Sequence, residues 1–151
     1  MAQLTRAERL ARPISFEELD HTADAGVRVR GATPEATLAR LVLAFGELVS
    51  GGVRVPCVDE RRLTVPAGDA AAMAVDVLRE LLYWFEEGGV IPQACDVLGF
   101  DPNSGVELRV ELGAYDAEKH VEGLVMKAVT LHAARFEPED AGYVAEVVFD
   151  V

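Results

Sequence analysis

The residues best suited to metal chemistry stand near the start of the chain, in the segment Asp20-His21-Thr22-Ala23-Asp24-Ala25-Gly26. A histidine and an aspartate three residues apart can both reach one cation when a short turn brings their side chains to the same side. The segment also has a purely structural interpretation, because an Asp before Ala-Gly is ordinary turn chemistry. Its carboxylate accepts backbone N–H groups and the glycine adopts a positive φ. Spacing alone favours this structural interpretation.

A second acidic group closes the sequence, at Phe149-Asp150-Val151. If Val151 ends the chain, its main-chain carboxylate lies close to the Asp150 side chain, and the two anions repel each other unless a cation or a donor cluster lies between them. Asp24 could supply a third carboxylate. Such hard oxygen ligands suit Ca²⁺, Mg²⁺ or Mn²⁺ rather than Zn²⁺. The structural alternative is a frayed, hydrated chain end.

Two basic side chains stand out in the late segment Lys127-Ala128-Val129-Thr130-Leu131-His132. Strand alternation places Lys127 among apolar neighbours on one face and His132 on the opposite face. The structural interpretation of Lys127 is a snorkelling side chain at a sheet edge. For His132 it is a core or edge histidine that bonds to a backbone carbonyl.

Two helices are predicted to help position these residues. The first begins at Thr33-Pro34-Glu35, which supplies a hydroxyl N-cap, a proline at the first helical position and an acid in the first turn. It ends at Ser50-Gly51-Gly52. The second begins at Gly68-Asp69 and ends at Gly88-Gly89. Each carries apolar residues at spacings of three and four, which is typical of a helix that packs on a core.

Strands are predicted over residues 14–19, 27–30, 53–58, 62–65, 97–100, 106–112, 124–136 and 143–151. The order of elements predicts an α+β fold in which two helices pack on mixed, mainly antiparallel β-sheet. Residues 1–13 are predicted to form a flexible N-terminal arm, and residues 14–151 a single domain. A chain of 151 residues, of which 50% are hydrophobic, can bury a substantial core.

Composition narrows the classes of function. The formal charge is −12, with 14 basic and 26 acidic residues. Because phosphate binding requires a positive surface, strong independent binding of nucleic acid is not expected. Cys57 and Cys95 form no C-x-x-C pair and are interpreted as reduced thiols. Neither a membrane span nor a signal peptide is recognised, so the sequence predicts a cytoplasmic protein without a membrane partner.

Taken together, these segments resemble the archease family over nearly the whole chain after the first dozen residues. The resemblance rests on the segment from Leu19 to Val27, on Thr33-Pro34-Glu35-Ala36, Leu81-Leu82-Tyr83, the segment from Lys127 to His132, and Val148-Phe149-Asp150-Val151. Each motif is weak alone, whereas their order and spacing make the match specific. The chain departs from the family at Leu131, where an aromatic residue is usual, and at Ala25, where a larger apolar residue is common.

The resemblance implies an archease-like sandwich and a non-catalytic accessory protein of the RtcB-type RNA ligase in tRNA splicing and RNA repair. That ligase uses GTP and Mn²⁺, and archeases promote its guanylylation and its multiple turnover. The resemblance also implies a divalent metal site, with calcium expected and Mg²⁺ or Mn²⁺ as alternatives. Carried over to this sequence, the metal ligands are Asp24, Asp150 and Val151. His21, Lys127 and His132 are possible supporting residues, and Lys127 and His132 could instead contact a partner.

Two hypotheses from other classes stay open at this point. A metal-dependent phosphatase or nuclease acting alone would use Asp24, Asp150 and His21 directly, although the chain lacks the basic surface that such substrates require. A chaperone-like binding module would use the apolar second helix as its contact surface. The apolar stripes that folding already requires leave little surface for that role.

Overall fold

Two antiparallel sheets and two helices form the fold, which confirms the predicted α+β class. The computed structural model describes residues 9–20, 24–116 and 125–151. In these ranges the elements are β1 (Leu10–Ala11), β2 (Glu17–Asp20), β3 (Asp24–Gly31), α1 (Pro34–Ser50), β4 (Cys57–Val65), α2 (Ala70–Gly88), β5 (Val90–Asp101), β6 (Gly105–Ala114), β7 (Ala128–Glu139) and β8 (Gly142–Asp150).

Strand order brings an early strand and the last strand of the chain together. One sheet has the order β1-β5-β6-β4 and the other β2-β3-β8-β7. In the second sheet the early strand β3 lies beside the last strand β8, and their antiparallel register runs from Asp24 opposite Asp150 to Gly31 opposite Tyr143. The sheet therefore joins Asp24 and Asp150, two candidate ligands that are far apart in the sequence.

Both helices contact both sheets, so the core lies between the two sheets. Helix α1 contacts β3 and β8 on one side and β5 on the other, and α2 contacts β7 on one side and β4 and β5 on the other. The predicted start of α1 is confirmed, because the Thr33 hydroxyl accepts the Ala36 N–H at 3.0 Å and Pro34 is the first helical residue. In the described part of the chain, neither helix has the length and apolar character needed to cross a membrane.

Several predicted boundaries differ from those in the structure. Strand β3 begins at Asp24, so residues 24–26 are strand rather than turn, and Gly26 does not adopt a positive φ. The predicted strands 53–58 and 62–65 are replaced by the single strand β4. Strand β5 is 12 residues long and extends well before residue 97. Its first eight residues are all buried, so they show no alternation of apolar and polar residues that would reveal a strand.

Residues 10–12 do not form the flexible arm predicted through residue 13. Leu10 pairs with Cys95 and Ala11 with Ala94, which adds β1 to the edge of β5. Arg12 is buried, and its guanidinium forms an ion pair with Glu47 on α1. Residues 1–8 of the predicted arm lie outside the described residues. The sequence does not reveal this anchoring, because the partners of residues 10–12 are distant along the chain.

Gly46 allows α1 to approach β5 closely. A Cβ atom at this position would lie 2.6 Å from the Pro92 carbonyl oxygen, so Gly46→Ala is expected to push the helix from the sheet and destabilise the protein by about 1–3 kcal/mol. Gly88, in the last turn of α2, has nothing within 4 Å of such an atom, and Gly88→Ala is expected to stabilise the protein by about 0.5 kcal/mol. Urea unfolding of both variants measures the change in the free energy of unfolding, which should be opposite in sign for the two. Equal effects of the two substitutions would contradict the close α1–β5 contact.

Candidate functional site

Two of the predicted metal ligands are direct cross-strand neighbours. Asp24 opens β3 and Asp150 closes β8, and the two residues are register partners. Directly opposed residues of an antiparallel pair direct their side chains to the same face of the sheet, with their Cβ atoms about 5 Å apart. Val151 follows directly and is 40% exposed. We call Asp24, Asp150 and Val151 the carboxylate corner.

The corner is held on its other side by the start of β7. Asp150 is also the register partner of Ala128, and the Lys127 N–H donates to the Asp150 carbonyl oxygen at 2.8 Å. The backbone of Asp150 is thus paired on both sides, which fixes the position from which its side chain leaves the sheet. Lys127 therefore lies beside the corner as a backbone neighbour, and its residue surface is exposed.

Further along the same face of this sheet, the acids are neutralised by arginines. Arg28 Nε lies 2.7 Å from Glu146 Oε2, and Arg30 Nε lies 2.6 Å from Glu139 Oε1. Arg135 Nη2 also lies 2.7 Å from Glu146 Oε2. The hydrogen bond from Arg135 is the largest influence that lowers the pKa of Glu146 below its usual value of 4.5, while burial opposes it.

In the described ranges of the chain, the carboxylate corner lacks such compensation. Within residues 9–20, 24–116 and 125–151, neither the Asp24 nor the Asp150 carboxylate has an ion-pair or hydrogen-bond partner. Like charges directly opposite each other on neighbouring strands are destabilising. A bound cation would remove that repulsion, and carboxylate oxygens are the ligands that Ca²⁺ and Mg²⁺ prefer. The chemistry of the two aspartates therefore fits a divalent cation.

The two aspartates do not complete a metal site alone. In the part of the chain that the structure describes, no group of three or more His, Cys, Asp or Glu side chains is arranged to hold a metal ion. Ca²⁺ takes about six to eight oxygen ligands, so a Ca²⁺ ion bound here would need further oxygens from the main chain, water or a partner. His21, a predicted supporting residue, lies outside the described residues.

His132 is not brought next to the corner by the strand register. It lies four residues beyond Ala128 on β7, or about 13 Å along a strand. There the register with β8 shifts between Thr130 and Arg135, and Ala133 has a φ of 61°. His132 is exposed, and within this bulge its backbone N–H donates to Thr130 Oγ1 at 3.0 Å. Period-2 alternation could not predict its direction, because a bulge interrupts the period.

Fold and site together define a small α+β protein in which two sheets enclose two helices. One sheet ends in a pair of carboxylates that have no basic partner among the described residues. The chain belongs to the archease family, since the model of the Archease protein family (MTH1598/TM1083) matches residues 16–151. This confirms the resemblance inferred from the sequence. Membership in this family indicates an accessory protein.

Individual relatives agree with the family match over nearly their full length. Protein archease of Methanopyrus kandleri is 33% identical over 138 residues, which cover 90% of this chain and 99% of that protein. Protein archease of Methanosarcina mazei is 29% identical over 139 residues and is covered to 95%. Both matches therefore include the two sheets and both helices rather than one isolated motif.

Solved structures share the architecture. The solution structure of protein 1598 from Methanobacterium thermoautotrophicum superposes with a TM-score of 0.75 at 28% identity, covering 90% of this chain and 98% of that chain. A crystal structure of an archease from Thermotoga maritima, described as a possible chaperone, gives a TM-score of 0.56 at 18% identity and covers 93% of this chain and all of that chain. At that identity the second structure supports the fold alone.

Proposed function

We propose that this chain is a non-catalytic activator of an RtcB-type RNA ligase, which promotes guanylylation and multiple turnover of the ligase through the carboxylate corner. Family membership supports the accessory role. The single observation that carries the metal part is the cross-strand pairing of Asp24 with Asp150 without a basic partner among the described residues. The proposal places the protein with RNA splicing and repair in the cytoplasm.

Asp24 and Asp150 would hold the divalent ion, together with the main-chain carboxylate of Val151 if the chain ends there. Calcium is the expected ion, with Mg²⁺ or Mn²⁺ as alternatives, and it supplies positive charge that can neutralise or position phosphate oxygens. The protein contributes two carboxylates whose backbones are paired into the sheet. Ligands held this way need little reorganisation when an ion arrives.

Net charge also supports docking on a basic partner. The net charge of −12 would attract a surface that binds nucleotide and RNA through positive residues, and such complementarity raises the rate of encounter.

The decisive experiment measures RNA joining by a limiting amount of the cognate ligase with GTP and Mn²⁺, with and without the untagged protein. A rise from about one turnover of the ligase to many is expected. A parallel incubation without ligase tests whether the protein acts alone on phosphate esters. Unchanged joining would contradict the accessory function, and phosphate ester hydrolysis that requires Asp150 would favour an independent enzyme.

A further inference from the structure

A cavity of about 210 Å³ opens beside β3, at the N-terminal end of β2 and against α1. Its polar and aromatic lining consists of Ser15, Phe16, Glu17, Arg28, Arg30 and Arg40, which we call the arginine pocket. Three cations and one acid line it in a chain whose formal charge is −12. Arg28 lies four residues from Asp24 along β3, or about 13 Å, so the pocket is separate from the carboxylate corner.

Arg40 is the least satisfied group in this pocket. Its Nε is buried and has no hydrogen-bond partner among the residues that the structure describes. Its Nη2 donates to Ser15 Oγ at 3.4 Å, which is a long contact for a hydrogen bond. In the described part of the chain no carboxylate forms an ion pair with Arg40. Because a guanidinium cannot lose its charge, a buried donor without an acceptor is unfavourable, and an anion that reached this nitrogen would satisfy it.

Arg28 and Arg30, the other two arginines of the pocket, are held in place by acidic side chains. These acids accept from only some of the N–H groups of each guanidinium. Glu17 accepts from Arg28 Nη1 at 3.1 Å and from Arg30 Nη1 at 2.5 Å. Their Nε atoms donate to Glu146 and Glu139 respectively. For both arginines, Nη2 has no acceptor among the residues that the structure describes. The ion pairs therefore restrain two further positive groups that line the same cavity as Arg40, and both groups keep unused donors.

We propose that the arginine pocket binds a phosphate group, as free phosphate or as the terminal phosphate of a nucleotide. Planar guanidinium groups match the geometry of phosphate oxygens. Three guanidiniums can donate to more oxygens than the two that a carboxylate offers. The volume of the arginine pocket is smaller than the volume of about 300 Å³ or more that is typical of sites for larger ligands. This size favours a single small anion. Phe16 provides an apolar wall that a sugar or base attached to the phosphate would contact. This site is independent of the proposed ligase partnership.

Titration with inorganic phosphate, followed by NMR of the arginine Nε–H and backbone amide signals at constant ionic strength, tests the proposal. Saturable shifts are expected at Arg40 and at the backbone of residues 15–17. Arg40→Gln should weaken phosphate binding by at least about tenfold, because it removes a charge-assisted hydrogen bond. Arg54→Gln removes the same charge from an exposed arginine outside the pocket and should leave the affinity unchanged.

A second variant keeps the test decisive if Arg40→Gln fails to fold. Ser15 is exposed, so Ser15→Glu should leave the core intact and place a carboxylate beside Arg40, which blocks phosphate. Adenosine 5′-monophosphate and adenosine separate the sources of binding energy. Tighter binding of the nucleotide than of phosphate would assign the pocket to a nucleotide, and equal binding would assign it to phosphate itself. The proposal is overturned by non-saturable shifts, by equal losses in Arg40→Gln and Arg54→Gln, or by adenosine binding as tightly as its monophosphate.

Discussion

Asp150→Asn is expected to abolish stimulation of the ligase and to weaken Ca²⁺ binding by at least about tenfold, while the protein stays folded. Asparagine keeps the size and one carbonyl oxygen of the side chain but removes a negative charge, and the affinity of oxygen sites for Ca²⁺ depends on their charge. The backbone of Asp150 pairs with Asp24 on β3 and with Ala128 on β7. Both pairings persist in the variant, so the loss would come from the carboxylate.

The same substitution should reveal the cost of the carboxylate corner in the absence of metal. Two like charges directly opposite each other destabilise a strand pair, so metal-free Asp150→Asn is expected to be more stable than the wild type by about 0.2–1 kcal/mol. Added Ca²⁺ should then stabilise the wild type and leave the variant almost unchanged, because only a bound ion shifts the folding equilibrium. Thermal unfolding of both proteins, with chelator and with Ca²⁺, measures this difference.

Asp140→Asn is the matched control for Asp150→Asn. Asp140 occupies the turn between β7 and β8 with a φ of 53°, a conformation that asparagine also tolerates. It lies at the other end of β8, about 30 Å from Asp150 along the strand, and the substitution removes the same charge. Normal stimulation and Ca²⁺ binding are expected for this variant. Full stimulation by Asp150→Asn, or an equal loss in both variants, would contradict the metal part of the proposed function.

The sequence predicted best the elements whose signals are local. The start of α1 follows from the Thr33 hydroxyl and the ring of Pro34, both of which act within one turn of the helix. The first half of β5 gave no such signal, because its eight initial residues are buried and so do not alternate between apolar and polar. The bulge at Ala133 likewise depends on how β7 meets β8 rather than on the residue type.

The sequence offered candidate ligands for a metal site but could not predict how they are placed relative to one another. Asp24 and Asp150 could be selected as hard oxygen ligands, and the structure makes them cross-strand partners. Among the described residues their carboxylates have no basic ion-pair partner, in contrast to the arginine-paired Glu146, and this difference depends on strand order across the sheet. The arginine pocket is not predictable from the sequence for the same reason, because Arg28 and Arg40 come together only when β3 packs against α1.

Arg12→Met is expected to destabilise the protein by about 3–5 kcal/mol. The Arg12 side chain is 1% exposed and pairs with Glu47, which is 14% exposed, and its Nη2 donates to Ser50 Oγ at 2.8 Å and to the Val53 carbonyl oxygen at 2.7 Å. Methionine keeps an apolar stem but leaves the Glu47 charge buried without a cation. Removing one partner of a buried ion pair is strongly destabilising for that reason. Urea unfolding monitored by circular dichroism measures the change.

Arg9→Met provides the control in the same N-terminal segment. Arg9 pairs with Glu111, but their side chains are 50% and 27% exposed, so its loss should cost no more than about 1 kcal/mol. The double variant Arg12→Met/Glu47→Met should recover part of the stability, because replacing both partners removes the unpaired charge. If Arg12→Met were as mild as Arg9→Met, residues 9–12 would be a frayed arm in solution, as the local sequence predicts. A large difference between the two would show that Arg12 anchors this segment to the C-terminal end of α1.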